Sequence, residues 1–258
     1  VAPGDDGVHV DNGIGGFTPD GRAYVTYVEK GRLPPAPWSN VIANEDFGFL
    51  VTEGGMGASW AINSGENRLT PWTNDPVSDL PAEVVYLRDE ETAELWSATP
   101  QPCGTAGPTI VRHGAGYSSY EREQQGVGHV MRTFAAANDP VKVVHLRVTN
   151  LRQVPRRLTV TYYAPWVLGV LRSDTQPFVI PEYSADHCAL LATNPYNEEF
   201  GSRVAFLASN KTPHRVTTDR TEFHGRPGSL APPAGLQRIG LSGTVRSGVD
   251  PCAVLQLH

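Results

Sequence analysis

Cysteine is scarce in this chain of 258 residues, and the scarcity carries the first exclusions. The three present, Cys103, Cys188 and Cys252, stand far apart. Thiols so spaced make neither a disulfide framework nor a zinc site. Buried, inert thiols are the expectation, and an odd, sparse set suits a reducing compartment. Basic residues are short as well: 21 Lys and Arg face 27 Asp and Glu, a formal charge of −6. No Lys/Arg run offsets that deficit, so nucleic-acid binding lacks the cationic face it needs. The densest basic group, Arg152 with Arg156 and Arg157, brackets a turn and reads as a solvated hairpin end. No apolar stretch approaches the roughly 20 residues of a membrane-spanning helix. Residues 1–20 hold Asp5, Asp6 and Asp11 and no basic group, unlike a secretory leader. Helical periodicity is missing too. The nearest approach, Glu121–Ala136, is broken by Gly126 and Gly128. There is no His-x-x-x-His ligand pair and no Gly-x-Ser-x-Gly elbow, so neither a metal nor a cofactor is expected.

What the chain does hold is punctuation and alternation. Its 26 glycines and 22 prolines exceed ordinary usage and suit tight turns between short elements. Hydrophobic residues make up 40%, enough for a core. In Lys142–Thr149, Val144, Leu146 and Val148 alternate with His145, Arg147 and Thr149. In Leu158–Tyr163, Leu158, Val160 and Tyr162 alternate with Thr159, Thr161 and Tyr163. Each reads as a half-buried strand, and the polar link Asn150–Arg157 predicts that the two form an antiparallel hairpin. Further strands are predicted at Ala23–Val28, Phe47–Thr52, Val84–Arg88, Thr109–His113, Val130–Phe134, Ala189–Thr193, Arg203–Ala208 and Gly240–Val245. Gly225–Gly235 reads as one long loop, and Cys252–His258 as a strand with no terminal loop, which suggests an excised domain. The pattern predicts an all-β fold, a large antiparallel β-sandwich. No linker divides it, so residues 1–258 are expected to form one domain, with roughly the first 10–15 an extension.

Four segments carry possible chemistry. Asp11-Asn-Gly-Ile-Gly-Gly16 resembles a phosphate loop, but turn residues follow where a helix must start, so it reads as a backbone bend. Pro34-Pro-Ala-Pro-Trp38 is a stiff segment that can hold an indole against a sugar ring or a core. The acidic stretch Arg88–Trp96 reads as a charged surface turn between strands, because neighbouring turn carboxylates do not converge on one glycosidic bond. The loop Trp60–Asp75 is the most unusual. Trp60 and Trp72 can stack on pyranose rings, Asn67 and Asn74 can donate and accept at vicinal hydroxyls, and Arg68 and Asp75 add a guanidinium and a carboxylate. These six residues are the candidate carbohydrate site. The competing reading is a structural loop with both indoles buried and Arg68 paired to Glu66 or Asp75. Exposure decides between them.

Several runs also carry a family resemblance. Asp11-Asn-Gly-Ile-Gly-Gly-Phe-Thr-Pro-Asp-Gly-Arg-Ala-Tyr24, Pro35–Asn44, Glu66–Asp79, Tyr86–Thr92, Arg112–Ser118, Asp139–Lys142, Asn194–Gly201, Asp219–Arg226 and Gly248–Ala253 resemble, in order, segments of cyclic β-1,2-glucan synthases. These belong to glycoside hydrolase family 94, formerly glycosyltransferase family 36, with the cellobiose and chitobiose phosphorylases. The likeness spans Asp11 to His258. It departs at His9-Val-Asp11, and at Ser64-Gly-Glu66, where the family often has Ser-Arg-Glu.

The resemblance implies an N-terminal β-supersandwich, similar to galactose mutarotase. It precedes an (α/α)6 barrel holding the general acid and the phosphate-binding residues, and that barrel is not in this chain. The implied role is a non-catalytic domain that packs against and shapes the active site of a β-1,2-glucan-processing enzyme. Its implied partners are the helical barrel and a glucan or gluco-oligosaccharide, with a homodimer as one assembly. The implied location is cytoplasmic, including within a membrane-anchored enzyme. An autonomous glycan-binding module is the alternative. A mutarotase-like epimerase is the third reading, and it requires a His/Glu pair in the sandwich cleft.

Overall fold

The computed structural model describes residues 8–29, 33–104, 107–226 and 228–258; Asp5 and Asp6 lie outside them. Among the described residues the strands are β1 Gly15–Phe17, β2 Ala23–Val28, β3 Ser39–Ala43, β4 Phe47–Thr52, β5 Met56–Ala61, β6 Val84–Asp89, β7 Leu95–Ser97, β8 Thr109–Gly114 and β9 Tyr117–Gln124. They continue with β10 Val127–Ala135, β11 Lys142–Asn150, β12 Leu158–Pro165, β13 Ile180–Ser184, β14 Ala189–Thr193, β15 Ala205–Ala208, β16 Arg215–Asp219 and β17 Pro251–Leu257. The only α-helices among them are single turns, α1 Arg172–Thr175 and α2 Arg220–His224. The fold is all-β, as expected.

Four antiparallel sheets form, in the orders β1-β2-β8-β9-β10-β11, β16-β17-β12-β6-β7, β13-β14-β15 and β3-β4-β5. The five-stranded sheet is the middle layer, and both of its faces contribute to buried cores. Along β6, Val84 and Tyr86 enter one core while Val85 and Leu87 enter another. Along β17, Cys252 and Val254 face one side, and Ala253 and Leu255 the other. A strand covered on both faces needs an apolar run rather than alternation, which is how these two read. The first face is closed by α2 and the loop beyond it, with Phe223 stacked on Tyr163 at 4.8 Å. Asp219 caps α2 by accepting from the backbone N–H of Thr221 and Glu222. The opposite face meets the six-stranded and β3-β4-β5 sheets around Phe49, Trp96, Tyr120 and Met131. Farther along, it meets β13-β14-β15 around Trp166, Leu190 and Leu255. Each such side chain, fully withdrawn from water, contributes about 1.5–3 kcal/mol.

Four expectations need correction. The strands β11 and β12 do not pair: β11 lies against β10, while β12 lies between β17 and β6. Their link crosses between layers instead of closing a hairpin. Gly240–Val245 forms no strand; its Leu241 plugs the core beneath α2. The basic cluster is not wholly solvated. The Arg156 side chain is largely withdrawn from water and donates to Asp89 from Nε at 2.8 Å and again from Nη2. Asp89 therefore belongs to the interior of the β6–β7 turn and not to its surface. The cysteines are free, but only Cys252 is fully buried; Cys103 and Cys188 are partly exposed.

Candidate functional site

The proposed carbohydrate segment starts on a strand, not in a loop. Trp60 is the penultimate residue of β5, and its half-buried indole lies flat over Gly48 of β4. A Cβ on Gly48 would come within 2.4 Å of the ring, so glycine is what lets the indole settle there. Alternation fails to announce β5 because its Gly57, Ala58 and Ser59 are small and serve close packing. Asn67 is buried, and its Nδ2 donates to the Ala61 carbonyl at 3.1 Å. The Arg68 backbone exchanges hydrogen bonds with Gly169, and its Nε donates to the Ser64 carbonyl at 3.0 Å. The guanidinium thus braces its own turn, without the pairing to Glu66 or Asp75 weighed earlier.

The other half of the segment is different. Trp72 is 46% exposed. It lines a pocket of about 240 Å³ together with Asn74, Asp75 and Asp79. Asp75 accepts from the backbone of Val77 and Ser78 and from the Ser78 hydroxyl at 2.6 Å. Those bonds, led by the hydroxyl, hold its carboxyl below the usual range. Asp79 faces the other way electrostatically: burial raises its carboxyl, although its Oδ2 accepts from Thr52 Oγ1 at 2.6 Å. The pocket sets an open indole beside two carboxylates of unlike acidity, an arrangement suited to stacking and to bridging hydroxyls. Asp79 was not singled out from sequence, where it is only the last residue of a resembling run. The six candidates therefore divide. Trp72, Asn74 and Asp75 share a pocket, while Trp60 packs on β5 and Asn67 and Arg68 brace the turn that follows it.

A larger groove, about 990 Å³, runs across the middle sheet between β11 and β15. One part of its lining is a buried polar knot that sequence reasoning missed. Glu83 Oε2 accepts from Lys142 Nζ and from Tyr162 Oη, each at 2.5 Å. Its Oε1 accepts from Ser59 Oγ at 2.6 Å and Thr70 Oγ1 at 3.1 Å, and Lys142 also donates to Ser59 at 2.8 Å. Burial alone would raise the Glu83 carboxyl; the Lys142 cation and the hydrogen bonds from Lys142, Ser59 and Tyr162 hold it below the usual value instead. Every oxygen is occupied, so the knot ties β5, β11 and β12 to the residue that precedes β6 and offers no free acid or base. The histidines give no sign of it in sequence, since none takes part. His113, His129 and His224 are each pushed down to about 4 by burial. No group of three metal-ligating side chains occurs among the described residues.

The family described as glycosyl hydrolase 94, supersandwich domain, matches residues 22–258. The cyclic β-(1,2)-glucan synthase NdvB of Rhizobium meliloti (strain 1021) is 40% identical over 253 residues, covering 95% of this chain and 9% of that protein. An N,N'-diacetylchitobiose phosphorylase of Vibrio furnissii is 28% identical over 174 residues, 66% of this chain and 21% of that enzyme. A solabiose phosphorylase of Paenibacillus borealis is 27% identical over 256 residues, 95% of this chain and 32% of that enzyme. The chain thus spans a third or less of the length of these relatives.

Proposed function

The chain belongs to the glycosyl hydrolase 94 family as its supersandwich domain, and from that premise we propose that it is a non-catalytic domain which shapes a glycan path beside a helical catalytic barrel. The observation that carries this reading is the pocket of Trp72, Asn74, Asp75 and Asp79. It has room for about one pyranose ring, and it presents a stacking face with hydroxyl acceptors. The length of the relatives supports a partner domain. The substrate class proposed is a β-1,2-linked glucan or gluco-oligosaccharide, and the location proposed is cytoplasmic, in keeping with three unpaired cysteines.

The domain alone is expected to be inactive, because the polar knot has no free acid and the described residues offer no matched anion site. Phosphate-dependent release of glucose 1-phosphate by the purified chain would overturn this. In a longer enzyme carrying this domain with a barrel, Trp72→Ala should weaken acceptor binding by about 1–3 kcal/mol, the order of one lost aromatic contact. An unchanged KM for the acceptor would remove Trp72 from the glycan path. Titration calorimetry of the isolated chain with β-1,2-gluco-oligosaccharides separates the two roles. Measurable binding by the chain alone would make it an autonomous glycan-binding module.

A further inference from the structure

We propose that the groove between β11 and β15 is a receptor for one more β-strand, an extended peptide segment from outside residues 1–258 that carries apolar side chains toward the middle sheet and carboxylates outward. The parity of the lining residues is the first argument. From β12 the groove is lined by Leu158, Val160 and Tyr162, and from β17 by Leu255 and Leu257. Alternate residues mean that these strands present a face, the floor. From β11 and β15 the lining residues are consecutive, Lys142 through Leu146 and Ala205 through Ala208. Only an edge shows residues of both parities, so two strand edges form the opposing walls.

Both edges are open. β11 ends the six-stranded sheet and β15 ends the β13-β14-β15 sheet. Among the described residues, neither forms a bridge to any strand beyond β10 or β14. β11 pairs with β10 along nine residues without a register shift, and it contains neither proline nor glycine. A long, regular, open edge is a template for strand addition. One inserted strand would pair with an edge while laying side chains on the half-buried Leu158 and Val160.

Charge selects the occupant. Arg203, Lys211 and His145 line the groove and enter no ion pair among the described residues. The only carboxylate in the lining, Glu83, is already matched by Lys142. The walls therefore favour an acidic segment and disfavour a second copy of β11, which brings His145 and Arg147 of its own. An acyl chain could cover the floor and meet a cation, but it would leave the edge N–H and C=O groups unpaired in a drying groove.

Amide hydrogen exchange on the full 258-residue chain tests this, with a capped synthetic peptide that alternates valine and glutamate and matches β11 in length. The expected result is saturable binding, with exchange slowed at least about tenfold at alternate amides of β11 or β15 and unchanged in β1. The same peptide N-methylated at alternate residues should fail to bind, because its ladder donors are gone. Arg203→Glu combined with Lys211→Glu should raise Kd about tenfold, the order of two rim charges reversed. No slowing in either strand would overturn the proposal. So would equal protection by the N-methylated peptide or by dodecanoate, which would mean that apolar filling suffices. Protection that grows with chain concentration in the absence of peptide would assign the edge to self-association.

Discussion

Glu83 and Lys142 show how much one pair of side chains can decide. The two side chains are only 4% and 9% exposed, so neither has water to fall back on. Lys142→Met would leave a buried carboxylate without its cation and should destabilise the fold by about 3–5 kcal/mol. Adding Glu83→Gln should recover most of that loss, because the stranded charge disappears. Urea unfolding of the single and double variants measures both, and a Lys142→Met variant as stable as the parent would refute the account. Buried histidine sets the acid limit. His129 donates from Nε2 to the Ala98 carbonyl at 3.1 Å, and its Nδ1 has no partner among the described residues. Burial lowers it from 6.5 to about 4, so between those values the unfolded chain binds a proton that the folded chain refuses. Stability therefore falls as pH drops from about 6.5 to about 4, by up to about 3 kcal/mol for this residue. Replacing His129 by Gln should flatten that slope by about one proton, read from urea midpoints across the pH series. Asp89 works in a lower window. Burial would raise it, but the Arg156 bonds hold it at about 2, so its contribution is lost only as pH falls from 3.8 toward 2.

At the level of elements, alternation located most strands but could not choose their partners. Val144, Leu146, Leu158 and Val160 were correctly assigned to half-buried faces, and all four pack against the same core. That shared core is why the two strands look like a hairpin. They face each other across two layers instead of lying side by side in one. Pairing depends on where the link goes, and Arg156 carries it away to Asp89, a contact 67 residues distant in sequence. The candidate site was half readable for a similar reason. Sequence can show that Trp72 and Asp75 are unusual, but only the Gly48 gap shows that Trp60 is a packing residue. Gly48→Ala tests that gap. The new methyl would meet the indole, and overpacking of this kind costs about 1–3 kcal/mol. The variant should shift Trp60 fluorescence and lower Tm, and full tolerance would mean the β4–β5 contact is looser than described.

Over the whole molecule, the order of the middle sheet matters more than its composition. A far-ultraviolet circular dichroism spectrum dominated by β structure is expected, since α1 and α2 are single turns of 4 and 5 residues. A deep helical double minimum would contradict the fold. The resemblance anticipated a supersandwich, and the composition anticipated many short strands. Neither could reveal that the five-stranded sheet would be a central layer, because that depends on which residues of β6 and β17 share a face.

The position of β17 has a consequence for how the chain comes into being. Pro251–Leu257 lies between β12 and β16 and pairs with both. A ribosome extends the polypeptide from the other end, so β17 is the last of this sheet's five strands to emerge. Until it does, β12 and β16 have no shared neighbour, and two cores stand open on opposite sides. Contacts this distant in sequence are slow to close, and strands awaiting a partner are exposed to aggregation and to proteases. Nascent chains stalled near Val245 should therefore stay sensitive to brief proteolysis and depend on chaperones. Resistance should arise abruptly once Leu257 clears the exit tunnel, and a gradual rise from residue 165 onward would show that the sheet assembles without β17.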